Sequence, residues 1–216
     1  MFEGQPKGLW TLALANTGER FGYYTMLAVF ALFLGENFGF DAGTASEIYT
    51  WFLTAVYFLP LVGGMAADRW GYSKMVVIGI MIMFLGYLLL SVPLGGGTVA
   101  IAAMGAALLL VSLGTGLFKG NLQVMVGDLY NAPEYADKRD SGFQIFYMFI
   151  NIGGCVAPFI ATWVRNTFVA LQGFAYNADL PGLCHSFLKG ELTDTTGFSQ
   201  LATEVSNGVA PTDLTA

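Results

Sequence analysis

Five long apolar stretches, separated by short polar segments, dominate the hydrophobic pattern of the chain. Two stretches, 75–118 and 141–164, contain no charged residue over more than the roughly 20 residues that a helix needs to cross a bilayer. Glycine, proline and charged residues at the breaks predict transmembrane helices at about 7–34, 46–67, 75–92, 98–129 and 141–168. Residues 1–168 are therefore a predicted membrane bundle, and 169–216 is a polar segment in which we expect short amphipathic or irregular structure.

Composition agrees with this pattern. The 216 residues are 55% hydrophobic and only 11% charged, whereas a soluble domain has about a quarter of charged residues. We therefore expect an all-α integral membrane protein. The net charge of -6 comes without any basic patch, which argues against nucleic acid as a partner. No set of nucleophile, base and metal ligands is visible and His185 has no second ligand nearby, so we expect neither an enzyme nor a bound metal or cofactor.

The basic residues predict the orientation in the membrane. Five of them, Lys7, Arg69, Lys74, Lys138 and Arg139, fall on the side of the N-terminus, and Arg165 and Lys189 fall on the other side. Because cytoplasmic loops carry an excess of Lys and Arg, we expect a multi-pass protein of the cell membrane with a cytoplasmic N-terminus. Five spans then place 169–216 outside the cytoplasm.

A polar run interrupts the first apolar stretch near its middle. Glu19 and Arg20 lie at a depth where each charge costs roughly 2.5 to 3.5 kcal/mol, so such residues usually face the interior of a bundle. At 100° per residue they share one helix face with Asn16, Tyr23 and Tyr24. Neighbouring residues on a helix do not face each other, and on that ground we do not expect Glu19 and Arg20 simply to neutralise each other.

Polar side chains on other helices lie at a similar depth. Counted at about 1.5 Å per residue from the cytoplasmic ends, four of them lie about 13 to 20 Å deep: Arg20, Tyr57, Lys119 and Asn151. This convergence predicts a binding cavity between the helices, in which the Lys119 ammonium needs an anion such as Glu19 or a ligand. For Thr50, Thr54 and Gln144 we instead expect helix-to-helix hydrogen bonds.

Several of these stretches resemble known motifs. Residues 63–71 with Lys74 look like the loop between helices two and three of the major facilitator superfamily, whose structural residues match Gly64, Asp68, Arg69 and Gly71. Residues 19–24, 118–121 and 146–153 are similar to motifs on helices one, four and five of its proton-dependent oligopeptide transporter family. The fold expected is thus the N-terminal part of a major facilitator superfamily protein.

The resemblance implies symport of di- and tripeptides with protons by alternating access between two helix bundles. It associates Arg20 and Lys119 with the peptide carboxylate, and it places Tyr23, Tyr24, Tyr57 and Asn151 in the pocket. It assigns proton coupling to Glu19 with Arg20 and Lys119, the proton being the coupling ion. The partners implied are small peptides, the lipid bilayer and a second bundle of the same protein, which would follow a sixth helix after residue 216.

Three residues depart from the family pattern. Asn16 replaces a glutamate and cannot titrate, Leu27 stands where many members have an arginine, and Gly120 replaces a common proline. Asn16 and the two buried cations leave room for transport of another small anion, such as nitrate or a carboxylate. A membrane scaffold without transport, in which the polar groups only hold helices together, is a third possibility.

Overall fold

Five long helices form the body of the protein. The computed structural model describes residues 2–95 and 97–206, and the helices over these ranges are α1 Lys7–Phe38, α2 Ala42–Trp70, α3 Tyr72–Leu90, α4 Thr98–Asp128, α5 Arg139–Leu171, α6 Leu180–Lys189 and α7 Thr195–Ser206. A short 3₁₀ turn, Ala136–Lys138, precedes α5. The prediction of an all-helical fold is confirmed for the described residues.

Four regions are long and apolar enough to cross a membrane by length and composition: Ala42–Trp70, Tyr72–Leu90, Thr98–Asp128 and Ala136–Leu171. They make this a multi-pass membrane protein. The helix α1 has 32 residues but is not among these four, and it contains the polar run around Glu19 and Arg20. Its crossing of the membrane, the fifth span expected from the sequence, therefore remains a prediction.

The ends of the helices are set by local chemistry. α1 ends where Gly39 adopts a left-handed conformation, with φ of 64°, and donates its N–H to the carbonyl of Gly35. The carboxylate of Asp41 then caps α2 by accepting hydrogen bonds from the N–H groups of Gly43 and Thr44. Gly71, with φ of 93°, forms the abrupt junction between α2 and α3.

The helix α4 is the centre of the packing. α3 and α2 pack closely along it, and α1 packs along α5. Close approach depends on glycines, which we call the glycine seam: Gly63, Gly79, Gly86, Gly114 and Gly116. A Cβ on Gly114 would lie 2.6 Å from the carbonyl oxygen of Gly79, and one on Gly63 would overlap that of Gly116. The backbones therefore touch here with no room for a side chain.

Two apolar cores flank the seam. One contains Leu9, Phe118 and Phe146 and joins α1, α3, α4 and α5. The other contains Phe30, Phe52 and Val111 and joins α1, α2 and α4. The helix α1 contributes to both, and its polar run lies between its residues of the first core and those of the second.

The described residues after α5, up to 206, form two short helices with a small core of their own. α6 and α7 pack through five buried residues: Leu180, Cys184, Phe198, Ala202 and Val205. His185 Nε2 lies 2.9 Å from the carbonyl oxygen of Glu36, in the last turn of α1. This segment is thus helical rather than irregular, and it is attached to one end of α1.

Candidate functional site

Two charged side chains near the middle of α1, those of Glu19 and Arg20, are buried. The side chains of Glu19 and Arg20 are 4% and 7% exposed, and Asn16 on the same face is 5% exposed. We call Glu19, Arg20 and Lys119 the charged cluster. Two ionised groups in such surroundings must be paired to be tolerated.

Glu19 and Arg20 pair directly with each other. Arg20 donates from Nε to Glu19 Oε2 and from Nη2 to Glu19 Oε1, the second bond at 2.6 Å. The expectation that these adjacent side chains would point apart and not pair is therefore wrong. Their Cβ atoms diverge, but both side chains are long enough to turn toward each other and form a bidentate fork.

Tyr23 packs beneath this pair. The guanidinium carbon of Arg20 lies 4.9 Å from the centroid of the Tyr23 ring, and Tyr23 in turn contacts Phe52 of α2 at 6.4 Å between centroids. Tyr23 is only 4% exposed. It serves here as a core residue that supports Arg20, and its ring is not open to solvent in this structure.

Lys119 of α4 and Tyr57 of α2 contact each other. The Lys119 ammonium lies 4.7 Å from the centroid of the Tyr57 ring, a cation–π contact between α4 and α2. Lys119 also interacts electrostatically with both Glu19 and Arg20. Tyr57 is 68% exposed, so the structure brings α1, α2 and α4 together at a surface that is open on the side of Tyr57.

The helix α5 is placed beside this site by α1. Thr17 Oγ1 donates to the carbonyl of Phe149 at 3.1 Å, and the Tyr24 ring packs so closely on Gly154 that a Cβ there would lie 2.9 Å from it. Asn151 lies on α5 between these contacts and is exposed. Its part in a site remains a prediction.

The threonines of α2 do not join helices. Thr50 Oγ1 donates to the carbonyl of Ser46 and Thr54 Oγ1 to that of Thr50, each at 2.8 Å and within the same helix. The expected helix-to-helix bonds of Thr50 and Thr54 are therefore wrong. Both residues are exposed, because a hydroxyl satisfied by its own helix needs no partner helix.

The loop motif between α2 and α3 is compact. Asp68 accepts a hydrogen bond from the Tyr72 hydroxyl at 2.5 Å, and the Arg69 guanidinium lies 6.0 Å from the centroid of the Trp70 ring. Gly71 provides the turn, whereas a Cβ on Gly64 would meet nothing within 4 Å. These contacts lie within the loop. They do not test the structural role of Gly64 and Arg69, which remains a prediction from the resemblance.

Tyr87 of α3 is a further residue near the charged cluster that was not predicted from the sequence. Its hydroxyl is buried on α3, it packs against both cores, and it interacts electrostatically with Glu19 and Arg20. A signal was present in the sequence, since Tyr87 carries the single hydroxyl in the otherwise apolar run 75–90.

The helical arrangement has close counterparts among known proteins. The chain superposes on the crystal structure of a peptide transporter described as POT in complex with sulfate, with a TM-score of 0.69 and 31% identity, covering 99% of this chain and 43% of that one. This likeness places the chain among the transporters of the major facilitator superfamily.

The sequence comparisons identify one family within that superfamily. The model of the POT family (PTR2) matches residues 73–184. The chain is 39% identical over 179 residues to the uncharacterized transporter YclF of Bacillus subtilis (80% of this chain, 35% of that protein). It is 38% identical over 185 residues to a di-/tripeptide transporter of Lactococcus lactis (82% and 36%). The chain belongs to the POT family, and it spans about a third of the length of these curated relatives.

Proposed function

We propose that this chain supplies part of the substrate site of a secondary transporter that moves di- and tripeptides together with protons. The observation that carries the proposal is the charged cluster, in which Arg20, Glu19 and Lys119 lie together beside Tyr57. Membership of the POT family and the di-/tripeptide transporter of Lactococcus lactis support the choice of substrate. Membership of the same family supports a transport role rather than an enzymatic one.

The two cations suit a peptide carboxylate. Arg20 presents a planar fork that already holds one carboxylate, that of Glu19, in bidentate geometry. Lys119 supplies a point charge next to an exposed tyrosine. A peptide carboxylate that takes the place of Glu19 would find the same donors, so ligand and Glu19 compete for Arg20.

This competition gives a scheme for proton coupling. When Glu19 takes up a proton, it loses its charge and its hold on Arg20, which becomes free for the ligand. When the proton leaves, the Glu19 carboxylate recovers Arg20 and the ligand is released. Because Asn16 cannot titrate, we assign the proton coupling to Glu19 together with Arg20 and Lys119. The proton is the coupling ion, and we propose no other cofactor.

The surroundings of the chain complete the proposal. We place the N-terminus in the cytoplasm of a cell whose membrane the helices cross, and residues 169–216 on the opposite side. A second bundle of the same protein would close the site over Tyr24, Tyr57 and Asn151, whose exposed or half-exposed positions leave room for it. Alternating access then consists of movements between the two bundles.

The test is uptake by the complete gene product that contains this chain, reconstituted in liposomes. We expect accumulation of labelled dialanine when the outside is acidic, and only equilibration without the gradient. Arg20→Gln and Lys119→Gln should each lower uptake at least tenfold, because a charge-assisted bond to the carboxylate is lost. Lys74→Gln removes an exposed cation outside the cluster and serves as the matched control.

Two outcomes would contradict the proposal. Uptake of dialanine that ignores the pH gradient would remove proton coupling. Binding of nitrate or a simple carboxylate, with no uptake of any peptide, would favour the anion transporter that Asn16 and the two cations also allow. If Lys119→Gln changes only thermal stability and leaves uptake unchanged, the cluster would be a scaffold.

A further inference from the structure

Tyr87 occupies an unusual place in α3. Its ring faces α1 at Gly22, where a Cβ would lie 4.0 Å from Tyr87 Cε2. Gly22 comes three residues after Glu19, so the two share one side of α1. The ring also packs against both apolar cores, which holds the side chain at the boundary where the charged cluster lies.

The hydroxyl of Tyr87 is buried without a hydrogen-bond partner. Over the described residues only three buried side-chain oxygens share this condition, those of Thr25, Glu36 and Tyr87. A buried tyrosine hydroxyl normally finds a partner, and inside a bilayer no bulk water can replace one. Of the groups that interact electrostatically with Tyr87, Glu19 and Tyr23 carry oxygens that can accept this hydrogen bond.

The charged cluster explains when such a donor would be needed. In this structure both Glu19 oxygens are satisfied by the Nε and Nη2 edge of Arg20. A ligand carboxylate that takes this edge leaves Glu19 buried without its partner. In the coupling scheme Glu19 is protonated in that state, and its buried carbonyl oxygen then lacks a donor, so another donor within reach would lower the free energy of the ligand-bound state.

We propose that Tyr87 is a positioning residue for ligand binding: its hydroxyl donates a hydrogen bond to the carbonyl oxygen of the protonated Glu19 carboxyl group when the carboxylate of a peptide takes Arg20. The inference rests on the proposed function of the charged cluster. No proton changes owner in this step, since Tyr87 keeps its proton and only the acceptors of two donors are exchanged. The unpartnered hydroxyl is then a feature of the unliganded state.

The variant Tyr87→Phe tests this in the purified complete protein. It deletes only the hydroxyl, which is unpartnered here, so we expect no loss of thermal stability. Equilibrium binding of labelled dialanine should weaken about fivefold, which is the size expected for a hydrogen bond between neutral groups. Thr25→Val is the control, because it removes a hydroxyl that is also buried and unpartnered but belongs to α1 and lies outside the cluster. Binding of dialanine to this variant should stay within about twofold of that to the unmodified protein.

A double-mutant cycle identifies the partner of the hydroxyl. If Tyr87 acts through the Glu19 carboxyl group, Tyr87→Phe should weaken binding by no more than about twofold when Glu19→Met, which removes both acceptor oxygens, is already present. An equal fivefold effect in both backgrounds would overturn the inference, and so would an unchanged affinity or a lower melting temperature for Tyr87→Phe alone. If the unmodified protein neither binds nor takes up dialanine, the proposed function fails, and this inference with it.

Discussion

The glycine seam and the charged cluster both include residues of α4, but the first packs backbone against backbone and the second packs long side chains. In the seam, backbones touch, and the buried Asn121 satisfies its amide by donating to the carbonyls of Gly63 and Leu117. In the cluster, long side chains meet, and one neighbouring hydroxyl has no partner. The seam has one arrangement, because any shift would cause overlap or break bonds. The cluster has donors and acceptors that can be exchanged, which suits a site that changes partners.

Removing one charge of the pair should have the largest effect on stability. Arg20→Met leaves the Glu19 carboxylate buried and unpaired, and we expect a loss of about 3 to 5 kcal/mol in the free energy of unfolding. Thermal unfolding of the complete protein in detergent measures it. Adding Glu19→Gln to Arg20→Met should restore most of the loss. A double variant as unstable as Arg20→Met would mean that the cluster is fixed by packing, like the seam.

Adding a methyl group to the seam should have an intermediate effect. The Cβ of Gly63→Ala would overlap the carbonyl oxygen of Gly116, and overpacking of this kind costs about 1 to 3 kcal/mol. Gly64→Ala is the matched control, because the space beside Gly64 is open. Thermal unfolding of both variants decides the matter. Equal melting temperatures would show that α2 and α4 can separate without cost, and the contrast between the two regions would disappear.

Removing a solvent-exposed carboxylate should have the smallest effect on stability, and this effect should depend on pH. Asp41, outside the membrane helices, accepts hydrogen bonds from Thr44 and Gly43, which lower its pKa below the ordinary value of 3.8. Its stabilising effect is therefore present above about pH 4 and is lost as the pH falls through the lower pKa of the folded state. Asp41→Ala should lower the melting temperature slightly at pH 7. This difference should vanish in acid; a difference that persists there would exclude the capping charge as its cause.

The sequence allowed the helices to be predicted because apolar runs and their breaks are local signals. The helices came close to their predicted ranges for this reason, and α1 extends to Phe38 because the left-handed Gly39, rather than Gly35, ends it. The depth of Arg20 and Lys119 could also be counted along each helix, and their shared role in a site stays a prediction. Directions and levels along a helix follow from its geometry alone.

Contacts between side chains could not be predicted in the same way. The pairing of Glu19 with Arg20 depends on how two long side chains bend, which the directions of their Cβ atoms do not show. The meeting of Gly63 with Gly116 requires knowing that α2 packs on α4 and in which register. Tyr23 shares a face with Arg20, yet Phe52 of another helix decides that it is buried. Each of these outcomes depends on residues distant in the sequence.

The contact between His185 and the end of α1 has a practical consequence. Because α6 is attached to the carbonyl of Glu36, a tilt of α1 would be passed on to a small helical body outside the apolar spans. Lys189, the last residue of α6, is exposed and distant in sequence from Glu19 and Arg20. A fluorescent dye attached at position 189 would therefore give an optical readout of the motion of α1 while leaving the ligand-facing surface unlabelled.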